Sequence, residues 1–283
     1  MSNIEHVARI KVRGIMLNQR DSRSSATRSA DATTPSAKTP SEGLVLAAGA
    51  GRRLRPHTDG LPKTLVTLED GTTVLDRILA NFSVSGLTRV SIVVGYCSDA
   101  IETRIHDLQS RYKVELELIV NDHPEDRNNA YSLWCARDAL SRGVLMSNGD
   151  TLHPPDVQHR LLAEPWSHNI RLAIDDVKVL GDEEMKVALS DQGVLQHISK
   201  SLPHDSSGEY IGVALIPVRA APLLIDALER TWQQDASQFY EAAFQHLATS
   251  GAVIETRSIG TVDWIEIDTL EDLDRANVLL CRS

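Results

Sequence analysis

With 283 residues, 42% of them hydrophobic, the chain can bury one large core with room for a small appendage. A formal net charge of −10 excludes a general electrostatic affinity for nucleic acid or an anionic membrane, so any polyanion must be held in a local basic pocket. The widely spaced Cys97, Cys135 and Cys281 contain no Cys-x-x-Cys pair, which argues against a disulfide framework or zinc site and fits a reducing cytoplasm. No run reaches membrane-span length. Glu5, His6, Arg9, Lys11 and Arg13 interrupt the apolar residues that a secretory signal would need.

Residues 1–42 are expected to form a mostly disordered, dispensable extension. The first 18 have enough apolar character for a short strand or an extended start. Residues 19–42 are Ser, Thr, Ala, Asp, Arg and Pro-rich without a large apolar side chain, so burial cannot offset their ordering entropy. One domain is expected over 43–283. Strands are predicted at 43–48, 89–96, 114–120 and 143–150, with helices at 73–82, 99–108 and 130–140 between them. That alternation implies parallel βαβ units in a three-layer, Rossmann-like α/β sandwich, its apolar strands buried on both faces.

After Asp150 the rhythm changes. A strand at 170–176 is followed by a hairpin over 185–200 that turns at Asp191-Gln192-Gly193. A longer strand covers 209–218, helices lie near 218–231 and 236–249, and strands follow at 252–259 and 264–267. A last helix starts at Thr269, capped by its hydroxyl with Asp272 as the acidic partner three residues on. The expected central sheet is therefore mixed and mainly parallel, with a small β-hairpin and helical insertion.

The segment with the clearest chemistry is LVLAAGAGRRLRPHTDGLPKTLV, residues 44–66. It is not a dinucleotide fingerprint, because Leu54 stands where the third glycine belongs and Pro56 and Pro62 oppose an immediate helix. It also lacks the Gly-Lys-Ser/Thr of a Walker loop. A strand end running into Gly49-Ala50-Gly51 lets the backbone approach a phosphate and aim N–H groups at it. Arg53 and Lys63 can then bracket a polyphosphate, one as a fork of donors and one as a mobile point charge.

This stretch resembles the signature of nucleotidyltransferases that activate sugar 1-phosphates and small phosphorylated alcohols. The resemblance continues through NDHPEDRNNAYSLWCARDAL (121–140), LMSNGD (145–150), GEYIGVALI (208–216) and WIEIDTLEDLDRA (264–276). It covers nearly all of residues 43–280. NNAYSLWCARDAL and WIEIDTLEDL are most similar to the bacterial choline-phosphate cytidylyltransferase branch, although Ala130 stands where that branch usually has a larger aliphatic residue.

The resemblance implies that Gly49, Gly51 and Arg53 cradle a triphosphate, with Leu46 and Ala48 on the strand leading into it. It implies that Lys63 steadies the phosphates of the transition state, that Asn129 and Ser132 hold base and ribose, and that Asp150 and Asp268 bind metal. From the residues themselves, Asp150 and Asp268 each end a predicted strand, where ligands of such sheets sit, and two aspartates suit a hard, oxygen-liganded Mg²⁺. Asp150 also reads as a turn residue after Asn148-Gly149, Asp268 as a helix start, and Asn128 or Asn129 as helix caps.

The implied reaction joins a small phosphate or phosphonate to the α-phosphorus of CTP and releases pyrophosphate. The nucleophile is already anionic, so positioning and electrostatics suffice without a general base. Candidates on the acceptor side are Lys186, Lys200, Tyr210, Trp264 and Glu266. Trp134, Tyr210, Tyr240 and Trp264 are aromatic faces for an ammonium group, with core packing as the alternative. Asp175 and Asp176 face either the acceptor or a turn. The rival readings are an NDP-sugar-forming enzyme and a non-catalytic nucleotide-binding module.

Overall fold

The computed structural model describes residues 9–10, 40–165 and 167–280. In chain order, strand β1 (Arg9–Ile10) precedes β2 (Glu42–Ala47), helix α1 (Val74–Val84), β3 (Arg89–Val94), α2 (Asp99–Glu102), α3 (Ile105–Tyr112) and β4 (Glu115–Val120). Then come α4 (Asn129–Cys135), α5 (Arg137–Leu140), β5 (Val144–Asn148), β6 (Thr151–Leu152), α6 (Pro155–Leu162) and β7 (Ile170–Asp175). The chain continues with β8 (Lys186–Leu189), β9 (Leu195–Ser199), β10 (Gly208–Ile216), α7 (Ala221–Gln234), α8 (Glu241–Thr249), β11 (Ile254–Ser258), β12 (Ile265–Glu266) and α9 (Leu270–Leu280).

The main sheet runs β1-β4-β3-β2-β5-β10-β7-β11, with the β8–β9 hairpin laddered onto β10. Strands β4, β3, β2 and β5 are mutually parallel, β10 is antiparallel to its neighbours β5 and β7, and β11 is parallel to β7. This is the expected mixed, three-layer arrangement. The alternation along β2 explains the layers: Val45 and Ala47 face α1, α3, α6 and α9, whereas Leu44 faces α4, α7 and α8.

Several boundaries differ from expectation. Strand β2 begins one residue before the expected strand at 43–48: Glu42 is buried in it, and Arg142 Nε donates to its carboxylate at 2.7 Å and Ser91 Oγ at 3.0 Å. Its partner lies 100 residues away, beyond the reach of local patterning. Arg9–Ile10 pairs antiparallel with Leu118 and Ile119 of β4, so the extension supplies a short edge strand, while residues 11–39 lie outside the described residues. The expected helices at 99–108 and 130–140 are each broken in two. Helix α6 and strand β6 were not anticipated; Pro155 opens α6 in its first turn, where a missing N–H costs little.

The hairpin turns where expected, Gly193 N–H donating to Ser190 O with φ +72° at Gly193. The cap of α9 also matches: Asp272 accepts from Thr269 N–H and hydroxyl, and its own N–H donates to Thr269 Oγ1. No described helix is long and apolar enough to cross a membrane.

Candidate active site

The glycine loop leaves β2 and folds into two short 3₁₀ turns, Arg52–Leu54 and Lys63–Leu65, rather than a helix. Leu54 is fully buried and anchors the first turn. Thr58 Oγ1 donates to Gly51 O at 2.9 Å, and Lys63 N–H donates to Gly49 O at 3.2 Å, so the loop closes on itself. Gly51 has φ +57°, and a Cβ there would meet the Lys63 stem at 2.9 Å. Glycine is therefore required both by the backbone and by the close passage of Lys63.

Lys63 crosses to the carboxyl ends of two strands. Its Nζ donates to Asp150 Oδ2 at 2.7 Å and to Asp268 Oδ1, and Arg53 pairs with Asp268 Oδ2 at 2.7 Å. Burial works against the Lys63 ammonium, but Asp150 and Asp268 outweigh it and hold its pKa above the ordinary lysine range. Burial would likewise raise Asp268; Lys63 and then Arg53 pull it below the usual carboxylate range.

What unites residues so far apart is a small ladder: β6 pairs antiparallel with β12, Thr151 opposite Glu266, and Ile267 N–H donates to Asp150 O at 2.9 Å. Asp150, Glu266 and Asp268 thereby offer carboxylate oxygens within 4.8 Å of one another. Burial, then Asp150 and Asp268, push the Glu266 carboxyl up to about 8. Glu266 keeps substantial solvent exposure along the cleft, so the two aspartates are the stronger physical reason. The cluster suits a hard cation on two counts. All its donors are oxygens, and Asp150 Oδ1 is buried without a hydrogen-bond partner.

The turn that aims Asp150 is tight. A Cβ on Gly149 would lie 2.4 Å from the main-chain oxygen of Leu46, and Gly149 N–H donates to that same oxygen at 3.0 Å. Gly149→Ala is expected to lower stability by about 1–3 kcal/mol and to depress turnover, because backbone cannot yield as a side chain would. Thermal unfolding beside pyrophosphate release checks this; an unchanged Tm with full turnover would refute it.

A cleft of about 400 Å³ collects the expected nucleotide-side residues. Leu46, Ala48, Gly49, Gly51, Asn129 and Ser132 line it together with Arg53, Lys63, Asp150 and Asp268. Some also hold the scaffold: Asn129 Oδ1 accepts from Tyr240 N–H at 2.8 Å, and Ser132 Oγ accepts from Asn121 Nδ2 at 2.9 Å. Asn128 caps α4, its Oδ1 accepting from Asn129 N–H. Sequence reasoning missed Arg127 and Asn148, which line the same cleft. Arg127 stacks 4.3 Å from the Tyr131 ring centroid and 4.9 Å from that of Trp232. Tyr240 hydroxyl donates to Asn148 Oδ1 at 2.9 Å. The signal for Asn148 was its place in the strand-end motif; Arg127 needed the distant Trp232 to become visible.

A second cleft of about 500 Å³ shares Arg53, Lys200, Glu266 and Asp268 with the first. Trp264, one of the residues expected on the acceptor side, lines it. The structure does not bring Lys186 or Tyr210 there. Lys186 is 1% exposed, and its Nζ donates to the main-chain oxygens of Lys200 at 2.7 Å and Asp182 at 3.3 Å. Its charge is consumed in holding the hairpin. Tyr210 is buried, with its hydroxyl 3.2 Å from that of Tyr240, and Trp134 stacks on Tyr131. Asp175 lines the cleft and makes the turn as well, whereas Asp176 accepts from Ser258 Oγ.

Residues 43–242 match the MobA-like NTP transferase domain. The chain belongs to that family. Within known proteins, the CMP-5'-(3-aminopropyl)phosphonate synthase of Streptomyces rubellomurinus is 27% identical over 252 residues, covering 86% of this chain and 39% of its own length. The 2-aminoethylphosphonate cytidylyltransferase of Lancefieldella rimae is 31% identical over 101 residues, 36% of this chain and 39% of its own. The chain thus spans well under two thirds of these relatives. The inositol-1-phosphate CTP transferase from T. maritima superposes with a TM-score of 0.72 at 22% identity, covering 87% of this chain and 96% of that one. At that identity the superposition establishes the fold alone.

Proposed function

We propose that this chain is a CTP-dependent cytidylyltransferase that transfers CMP to a small phosphonate or phosphate carrying an amine, and releases pyrophosphate. The observation that carries the reading is Lys63 poised between Asp150 and Asp268 beneath the glycine loop in the first cleft, with Asp268 lining the second cleft as well. A binding module has no use for a buried lysine, a phosphate cradle and three convergent carboxylates together. The phosphonate-activating relatives support the choice of nucleotide and acceptor.

In this mechanism the loop N–H groups and Arg53 hold the β- and γ-phosphates, while Leu46, Ala48, Asn129 and Ser132 fix base and ribose. An acceptor oxyanion attacks the α-phosphorus in line, and the bond to the bridging oxygen of pyrophosphate breaks. Asp150 and Asp268 would hold Mg²⁺, with Glu266 at the third corner. The chemistry such an ion supplies when bound is charge neutralisation and alignment of the phosphate oxygens. Lys63 supplies positive charge where negative charge develops between the entering oxygen and the leaving group. The proton balance needs no general base, since the acceptor enters ionised.

A pyrophosphate-release screen tests the reading. CTP, UTP, ATP, GTP and dTTP are paired with 2-aminoethylphosphonate, phosphocholine and hexose 1-phosphates. CTP with an aminated acceptor is expected to turn over fastest. Fastest turnover of UTP or dTTP with a hexose 1-phosphate would replace this reading with NDP-sugar formation.

A further inference from the structure

Lys178 follows β7 and reaches back over the second cleft. Its Nζ lies 2.7 Å from Glu209 Oε2, 3.3 Å from Glu184 Oε1 and 5.3 Å from the centroid of the Trp264 ring. One buried carboxylate builds both walls of this box. Asp175 Oδ2 accepts from Trp264 Nε1–H at 2.7 Å, and Asp175 Oδ1 accepts from the N–H groups of Val177 and Lys178 at 2.9 and 3.0 Å. Glu209 comes from β10 and is buried; burial pushes its carboxyl above the usual range, and a cation at close range is what favours its charged form. The Lys178 ammonium now provides that cation. Burial opposes its charge, but Glu209 and Glu184 more than compensate.

An aromatic face with two carboxylates is a receptor for an ammonium group. Here it holds one from the protein itself, in a cleft that opens onto the carboxylate cluster through Glu266 and Asp268. The Lys178 side chain is 34% exposed, and its neighbours Val177 and Val179 point largely to solvent at 59% and 93% exposure. Little packing ties the lysine into place.

We propose that Trp264, Glu209 and Glu184 form the subsite for a primary ammonium on the acceptor, and that Lys178 is its internal occupant, displaced when the acceptor binds. This rests on the transfer reaction proposed above and narrows its acceptor class. A primary ammonium has N–H donors to give to Glu209 at the distance Lys178 now uses. A trimethylammonium has none, and its methyl groups keep the nitrogen farther from the oxygens. The acceptor is accordingly an aminoalkyl phosphonate or phosphate rather than a quaternary amine.

The test is Lys178→Met in the full chain, which keeps the length of the side chain and removes its charge. Wild type and variant are titrated calorimetrically, without nucleotide, with 2-aminoethylphosphonate and with ethylphosphonate as the amine-free probe. Removing the competitor is expected to tighten 2-aminoethylphosphonate about tenfold, the scale of a desolvated cation–π and ion-pair contact, and to leave ethylphosphonate nearly unchanged. In the Lys178→Met background, Trp264→Leu should abolish that preference. Equal weakening of both probes would make Lys178 a clamp for the acceptor's anion and overturn the proposal. Unaltered selectivity, or no binding of the amine by either protein, would overturn it too. Binding is read without turnover, so failure of the transfer reading shows separately, in the pyrophosphate screen of the wild type.

Discussion

Lys63→Ala is expected to lower kcat by roughly 10²–10³, the loss typical of one electrostatic donor of about 3–4 kcal/mol, while CTP binding weakens far less. The reason lies in when its charge is needed. In the proposed mechanism the loop N–H groups and Arg53 already share the triphosphate in the ground state. As the acceptor oxygen enters and pyrophosphate leaves, negative charge grows between them, and the proposal puts Lys63, 2.7 Å from Asp150, at that point. An interaction made mainly in the transition state appears in kcat rather than in affinity. Steady-state kinetics beside calorimetric titration of CTP separates the two. Near-normal kcat with only a raised KM for CTP would make Lys63 a ground-state clamp and end this mechanism.

Asp150→Asn should cost a similar factor by a different route. The substitution keeps an oxygen at the same place but removes one of the charges that attract a divalent ion. Asp150 Oδ1 is buried without a hydrogen-bond partner and is the oxygen left for an ion, while Oδ2 accepts from Lys63 at 2.7 Å. Turnover should drop by about 10²–10³ at low millimolar Mg²⁺, in the range of other lost electrostatic groups, and recover in part as Mg²⁺ is raised. Both aspartates pair with Lys63, but Asp268→Asn should recover less, because it also frees Arg53, which Asp150 does not hold. Pyrophosphate release across a Mg²⁺ titration checks both. A variant whose Mg²⁺ dependence matches the wild type would remove Asp150 from the metal site.

The contrast between Lys186 and Lys178 shows where pattern reading stops. Both are lysines near the hairpin, and composition treats them alike. Lys186 is sealed under main-chain oxygens of its own hairpin, whereas Lys178 lies in the open cleft against Trp264. Tyr210 and Trp264 divide in the same way: the first is packed against Tyr240 and Phe244, and the second forms a cleft wall.

The parts whose physics is local were legible in the residues alone. Apolar runs alternating with 3.6-residue periodicity set the βαβ order. Gly49, Gly51, Arg53 and Lys63 lie on one short loop whose glycines and prolines exclude a helix, and the Thr269–Asp272 cap is a four-residue affair. Asp150 and Asp268 stood out through their motifs at strand ends. What depends on pairing across long separations emerged only in the folded chain. The β6–β12 ladder carries Glu266 from an expected acceptor residue into the carboxylate cluster, and Asp175 sets Trp264 from 89 residues away. Such contacts arise because a three-layer sheet collects strand ends from the whole chain at one edge. A charge there is catalytic, structural or a substrate surrogate according to which neighbours the fold delivers, and no local pattern encodes those neighbours.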